Sequence, residues 1–331
     1  MVFWIITIMA VLIVWIIIRY RKYPLRSDLP PLQLFVIPGF FLTNPIIKMG
    51  NFILRKTPLP SVDPSLIRHQ ILISTDKDMP LKLTVYIPKN VPGPLPCLIY
   101  YHGGGFCFED APYIHKNVME YAKNASCQIV FVHYRTSDTA PFPAPFQDAC
   151  SAIKYVWSHA EELNVDKDNI ALGGDSAGGA LAASCCQWVK ECTEMKLRFQ
   201  LLIYPVTDNR MQTNSMRYGK DTPCWNALLN RQMWQFYLRA GIKENSNWAV
   251  PILSTDLSDL PNAYIEVEQF DCLHDEGIEY ANRLKNAGVC VHLEEVKGTF
   301  HGFDLFHKAK VVQTMLTYRS HALRDAWIKK A

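Results

Sequence analysis

Residues 170–179 read Ile170-Ala171-Leu172-Gly173-Gly174-Asp175-Ser176-Ala177-Gly178-Gly179, and a run rich in small and apolar residues follows to Val189. The apolar triplet reads as the end of a strand, and the run after Gly179 reads as a helix. Ser176 then falls at the turn between them. A strand-to-helix turn this tight crowds the side chains two places either side of the serine. Gly174 and Gly178 relieve that crowding because they carry no Cβ. Such a turn pushes Ser176 into the open at a helix N-terminus, where the helix dipole favours developing negative charge.

The same alternation extends outward. Residues 97–101, 128–133 and 199–204 read as strands, and 113–125, 146–163 and 177–189 as helices. Upstream, residues 71–73 and 81–87 look like two strands around a polar turn, Asp76-Lys77-Asp78. The rhythm breaks at Pro205. Residues 207–250 are too long for a normal crossover and rich in Trp, Tyr and Met, which suggests an excursion over the sheet's C-terminal edge. It resumes with strands at 262–267 and 289–296 and helices at 276–287 and 305–327. Strands alternating with helices predict a mostly parallel sheet with helices on both faces, an α/β fold.

The turn serine needs a base and amide donors. His102-Gly103-Gly104-Gly105 ends the strand at 97–101, and its bare glycines expose N–H groups suited to an oxyanion hole. Ala177 supplies a further amide. His102 is expected to brace the glycines rather than to act as base. In this fold the order is serine, acid, histidine. His301 follows the last expected strand and so falls in a loop at the C-terminal edge, where a base for Ser176 must sit. Asp271 ends the segment after the strand at 262–267 and is the favoured orienting acid. Asp275, four residues on, is its rival, but in a first helical turn its carboxylate would serve the helix N-terminus. Asp175 and Asp148 read as supporting or capping groups.

Composition narrows the alternatives. The net charge of +3, from 34 basic and 31 acidic residues, is too balanced for a nucleic-acid binder. With 49% hydrophobic and 20% charged residues, disorder is excluded. The 10 cysteines form no CxxC pair and no zinc spacing, so they read as buried free thiols of a reducing compartment. No HExxH, HxxEH or phosphate-binding loop occurs, so neither a metal nor a cofactor is expected.

The first 18 residues, MVFWIITIMAVLIVWIII, hold one polar residue, Thr7. As a helix they would span about 27 Å, close to a bilayer core. Arg19, Arg21, Lys22 and Arg26 follow, with no small-residue cleavage site. A retained membrane anchor over 1–22 is expected, with the rest of the chain on the cytoplasmic side. Residues 23–64, proline-rich with a broken apolar stretch, read as a linker and interfacial or lid segment. Residues 65–331 then form the catalytic unit.

The four ordered motifs, HGGG at 102–105, GDSAGG at 174–179, DCLHDEG at 271–277 and HGF at 301–303, resemble the hormone-sensitive-lipase-like branch of α/β-hydrolases, which includes carboxylesterases and arylacetamide deacetylases. The resemblance covers roughly residues 65–325. It implies an α/β-hydrolase fold with Ser176 as nucleophile, His301 as base, Asp271 as orienting acid, and an oxyanion hole from Gly104, Gly105 and Ala177. It also implies a helical cap built from the N-terminal segment and the 207–250 insertion. A serine carboxylic-ester hydrolase acting on apolar acyl esters through a Ser-His-Asp triad and an acyl-enzyme is therefore expected. An amidase on the same machinery, or a tethered ligand-binding module without activity, are the alternatives. The cap aromatics Trp225, Trp234, Phe236, Tyr237 and Trp248, with Phe106, would either line an acyl pocket or pack as core. Oligomeric state is left open.

Overall fold

The computed structural model describes residues 2–75, 79–242 and 246–328; of residues 2–6 and 40 only the backbone is described. The polar turn read at Asp76-Lys77-Asp78 lies outside the described residues. In chain order the elements begin with helices α1 (Val2–Lys22) and α2 (Asn44–Lys56) and strands β1 (Leu66–Ser74), β2 (Pro80–Pro88) and β3 (Leu95–Tyr101). Then come α3 (Pro112–Asn124), β4 (Gln128–Val132), α4 (Ala144–Ser158), β5 (Val165–Asp175), α5 (Ala177–Cys192) and β6 (Phe199–Ile203). Three short helices follow, α6 (Asn214–Tyr218), α7 (Ala227–Tyr237) and α8 (Ser246–Ala249). The chain closes with β7 (Asn262–Glu268), α9 (His274–Asn286), β8 (Val291–Val296) and α10 (Lys310–Trp327).

The sheet has eight strands in the order β1-β2-β4-β3-β5-β6-β7-β8. The β1–β2 and β2–β4 pairings are antiparallel, and the pairings from β4 through β8 are parallel. The central strands are apolar on both faces because helices cover both. In β3, Cys97, Ile99 and Tyr101 join the core under α4, α5 and α9, whereas Leu98 and Tyr100 join the core under α3 and α10. That period of two divides one chain segment between two cores. A third, smaller core joins Leu42 and Ile47 to Cys107 and Leu229, so the N-terminal segment and the post-β6 excursion pack together above the strand ends. Full burial of Ile47 contributes about 1.5–3 kcal/mol to holding α2 there.

Two expectations need correction. The last helix starts at Lys310, not 305: residues Phe303–Leu305 form a 3₁₀ turn, and His307 precedes the helix. Asp28 supplies the missing N-terminal partner, its Oδ2 accepting from Val311 N at 2.8 Å across the molecule, and so fixes where α10 begins. The strand expected from 289 begins at Val291. For the membrane segment, the side chains of residues 1–6 lie outside the described residues, and no helix among the described residues is long and apolar enough to cross a membrane.

Candidate active site

The parallel strands β3, β5, β6, β7 and β8 end along one edge, and each expected site residue sits just beyond one of them. Ser176 follows β5 directly, with φ 55° and ψ −118°. This is a strained conformation for a residue with a Cβ. Hydrogen bonds at the end of β6 hold it: Ser176 N donates to Ile203 O at 2.8 Å, and Val206 N donates to Ser176 O at 3.1 Å. A Cβ on Gly178 would lie 1.9 Å from Tyr101 O, and one on Gly174 2.3 Å from Gly178 C. Both are backbone collisions, so glycine at both places is what lets the turn close.

His301 and Asp271 sit on two loops joined to each other. Phe270 N donates to Thr299 O at 3.0 Å, Gln269 N to Val296 O at 3.2 Å, and Gly298 N to Gln269 Oε1 at 2.8 Å. Across that junction His301 Nδ1 lies 2.6 Å from Asp271 Oδ2, and His301 Nε2 lies 2.9 Å from Ser176 Oγ. Asp271 Oδ1 accepts from Leu273 N at 2.9 Å, which fixes the carboxylate plane. The three side chains are buried. Asp275 does not compete for the histidine. Its carboxylate, in the first turn of α9 as expected, meets His274 Nδ1 and accepts from Ser215 N, each at 2.8 Å, and so also ties α6 to the Asp271 loop.

Gly104, Gly105, Ser176 and His301 line a cavity of about 370 Å³. Ala177 opens α5, where amides have no intrahelical partner. Among the described residues, the amides of Gly104, Gly105 and Ala177 have no backbone acceptor. Gly103 sits behind them, with its amide hydrogen-bonded to the Asp175 carboxyl. A Cβ there would come 2.3 Å from Asp175 Oδ2. His102 braces the loop: its ring stacks on Tyr134 at 4.3 Å, and its Nδ1 donates to Gly103 O at 2.7 Å. Burial pulls its pKa down to about 4, so the ring is neutral. Asp148 fastens the next loop by accepting from the Arg135 amide at 2.8 Å and pairing with its guanidinium.

Asp175 is the site's most perturbed neighbour. Burial, and then the nearby Asp304 carboxylate, push its pKa up to about 7, while hydrogen bonds from Tyr100 and Gly103 oppose them. Its ordinary value is 3.8, so as pH rises the unfolded chain releases this proton first. Stability from this group is therefore complete below about pH 4 and drains away as pH climbs through about 7. Asp175→Asn stays neutral throughout. In thermal melts from pH 4 to 8 the variant's Tm should gain on that of the parent protein as pH rises; parallel pH profiles would contradict this.

Around His301 stand Trp225, one of the cap aromatics, and several residues that no motif marks. Tyr204 packs edge-on to its ring at 4.8 Å, and Trp225 lies tilted at 5.9 Å. Tyr204 OH donates to Asp304 Oδ1 at 2.7 Å, and Asp304 pairs with the fully buried Arg319 at 2.9 Å. Arg319 also pairs with Glu266 on β7. Of the aromatic residues considered, only Trp225 lines the cavity. Phe106 stacks on Tyr237 at 3.8 Å, and Trp248 on Phe146 at 5.5 Å, as core. All ten cysteines are free thiols and seven are buried, with Cys192 and Cys290 exposed. Among the described residues no cluster of His, Cys, Asp or Glu is arranged to hold a metal ion.

Fold and site define a hydrolase, and comparison with known proteins says which kind. Residues 98–305 match the family model for the alpha/beta hydrolase fold. The chain belongs to this family, in its hormone-sensitive-lipase-like branch. Carboxylesterase NlhH of Mycobacterium tuberculosis is 31% identical over 293 residues, covering 85% of this chain and 90% of the relative. Arylacetamide deacetylase of Bos taurus is 28% identical, covering 76% of this chain and 78% of the relative. The solved structure of a bacterial heroin esterase superposes with a TM-score of 0.84 at 31% identity, over 93% of this chain and all of that one (100%). The protein is an enzyme of the carboxylic-ester hydrolase class.

Proposed function

We propose that the protein hydrolyses apolar carboxylic esters through an acyl-enzyme formed on Ser176. The observation that carries this reading is the relay from Ser176 Oγ through His301 Nε2 at 2.9 Å to Asp271 at 2.6 Å, set at the wall of an apolar cavity. With His301 Nδ1–H donating to the Asp271 carboxylate, Nε2 accepts the Ser176 proton as Oγ attacks the ester carbonyl. The carbonyl oxygen takes up the negative charge, which the amides of Gly104, Gly105 and Ala177 stabilise. Gly103 fastens the loop through Asp175. Each such donor is worth about 2.7–4 kcal/mol of barrier in serine hydrolases. The imidazolium then gives its proton to the departing alcohol. Water, deprotonated by His301, attacks the acyl group, and Ser176 recovers its proton as the acid leaves.

Ile37, Phe41, Leu42, Trp225, Leu229 and Leu305 line the cavity, which supports an apolar acyl or alcohol portion. Each methylene buried there should contribute about 0.8 kcal/mol. With p-nitrophenyl esters of increasing chain length, kcat/KM should therefore climb about threefold to fourfold per methylene from acetate until the cavity is full. A flat or falling series from acetate would refute the apolar preference. Amide cleavage on the same groups is the second reading, motivated by the arylacetamide deacetylase relative. A matched ester and anilide pair separates the two readings.

The catalytic unit is taken to be tethered by α1 on the cytoplasmic side of a membrane. Support comes from the exposed apolar side chains of α1 between Ile8 and Ile18, the basic residues that follow them, and the free thiols. The segments over 23–64 and 207–250 act as a cap, consistent with their shared core around Leu42, Ile47 and Leu229.

A further inference from the structure

The segment from residue 29 to 62 contains no acidic residue and three basic ones, Lys48, Arg55 and Lys56. Its helix α2 has two dissimilar faces. Ile47 and Asn51 are buried, and Asn51 grips the loop that carries the glycines: Nδ2 donates to Cys107 O at 2.9 Å, and Oδ1 accepts from Glu109 N at 3.0 Å. Gly50 lies so close to Phe108 that a Cβ would approach its ring to 2.9 Å. The other face presents Met49 and Phe52 to the outside, 60% and 55% exposed, with Lys48 and Lys56 beside them. A helix packed this firmly along one side, with large apolar side chains on the other, has an unpartnered face.

The same helix reaches the cavity, since Ile46, one turn before Met49, lines it. Phe41, Ile46 and Leu305 are exposed at the surface and also line the pocket that holds Ser176. The apolar helix α1 is fixed to the same cap. Arg19 donates to Gln33 O at 2.5 Å, just before exposed Phe35 and Val36. Arg19 and Lys22 also pair with Asp221 in the post-β6 excursion at 2.5 and 2.7 Å, and Tyr23 OH donates to it at 2.8 Å. The exposed apolar side chains of α1 therefore have a set relation to the pocket mouth instead of swinging on a free linker.

We infer that the outer face of α2 and the rim Phe41–Ile46–Leu305 dock onto a phospholipid bilayer, so that ester substrate passes from lipid to Ser176 without crossing water. Apolar side chains flanked by Lys48 and Lys56, with Arg55 paired to Glu109, suit a surface with acyl chains below and anionic headgroups above. The coupling of α2 to the glycine loop through Asn51 and Phe108 places the docked helix one residue layer from the oxyanion amides. This inference rests on the ester-hydrolase reading, and its test separates the two.

The full chain is reconstituted in phosphatidylcholine/phosphatidylserine vesicles with a benzophenone amino acid at position 52 and, separately, at the exposed Tyr318 on α10. Irradiation should link position 52 to phospholipid and leave position 318 unlinked. In parallel, the Met49→Glu/Phe52→Glu variant should hydrolyse a vesicle-dissolved long-chain ester at least tenfold more slowly, with p-nitrophenyl acetate turnover in water unchanged within about twofold. Crosslinking to a second copy or another protein, equal lipid labelling at both positions, or unchanged turnover of the vesicle-borne ester would overturn the docking proposal. Absence of p-nitrophenyl acetate hydrolysis by the parent protein would count against the ester-hydrolase reading instead.

Discussion

Ser176→Ala is expected to lower kcat on a p-nitrophenyl ester by on the order of 10⁶-fold, because removing the nucleophile of a serine hydrolase removes the covalent route altogether. Little stability should be lost, since the elbow is held by backbone contacts from Ile203 and Val206 rather than by the hydroxyl. The residual rate should be that of a pocket with amide donors and no acyl-enzyme. Burst kinetics check the origin of the loss: a stoichiometric p-nitrophenol burst in the parent protein and none in the variant. Loss of only tenfold would mean that another group carries the attack.

Asp271→Asn is expected to cost on the order of 10⁴ in kcat with KM little changed. The carboxylate accepts from both His301 Nδ1 and Leu273 N. An amide in its place would keep the shape of the loop but present an N–H toward His301 or leave Leu273 N unpaired. Keeping the Leu273 N bond turns the amide N–H toward His301 Nδ1 and favours the wrong imidazole tautomer, with Nε2 protonated and unable to accept from Ser176, whereas the flipped amide sets N–H against Leu273 N–H. The positive charge that forms on the ring would also lose its counter-ion. Steady-state kinetics, with circular dichroism as the check on folding, decide the matter. A full-strength Asp271→Asn variant alongside a crippled Asp275→Asn variant would transfer the orienting role to Asp275.

Much of this was legible in the sequence because backbone constraints write themselves into residue type. Glycine at 174 and 178 answers to carbonyls under 3 Å away, and few other reasons call for it at that spacing. Alternation of strand and helix gave the parallel part of the sheet, and the position of His301 and Asp271 after successive strands put both at one edge. What stayed hidden depends on contacts distant in sequence. Asp28 caps α10 from 283 positions away. Arg319, Asp304 and Glu266 meet beneath the histidine loop through three separate elements. Nothing in residues 207–250 told Trp225 apart from Trp234 or Trp248, because pocket and core ask for the same apolar bulk. Asn51 belongs to no motif and lies in a broken apolar stretch, yet it holds the cap to the glycine loop.

The most direct test of the central claim is to treat the folded protein with a fluorophosphonate and locate the adduct by peptide mass spectrometry. One phosphonyl group is expected on the peptide carrying Ser176. Labelling should fall by orders of magnitude in His301→Ala and vanish in Ser176→Ala. Labelling of a different residue, or undiminished labelling without His301, would contradict the proposed relay.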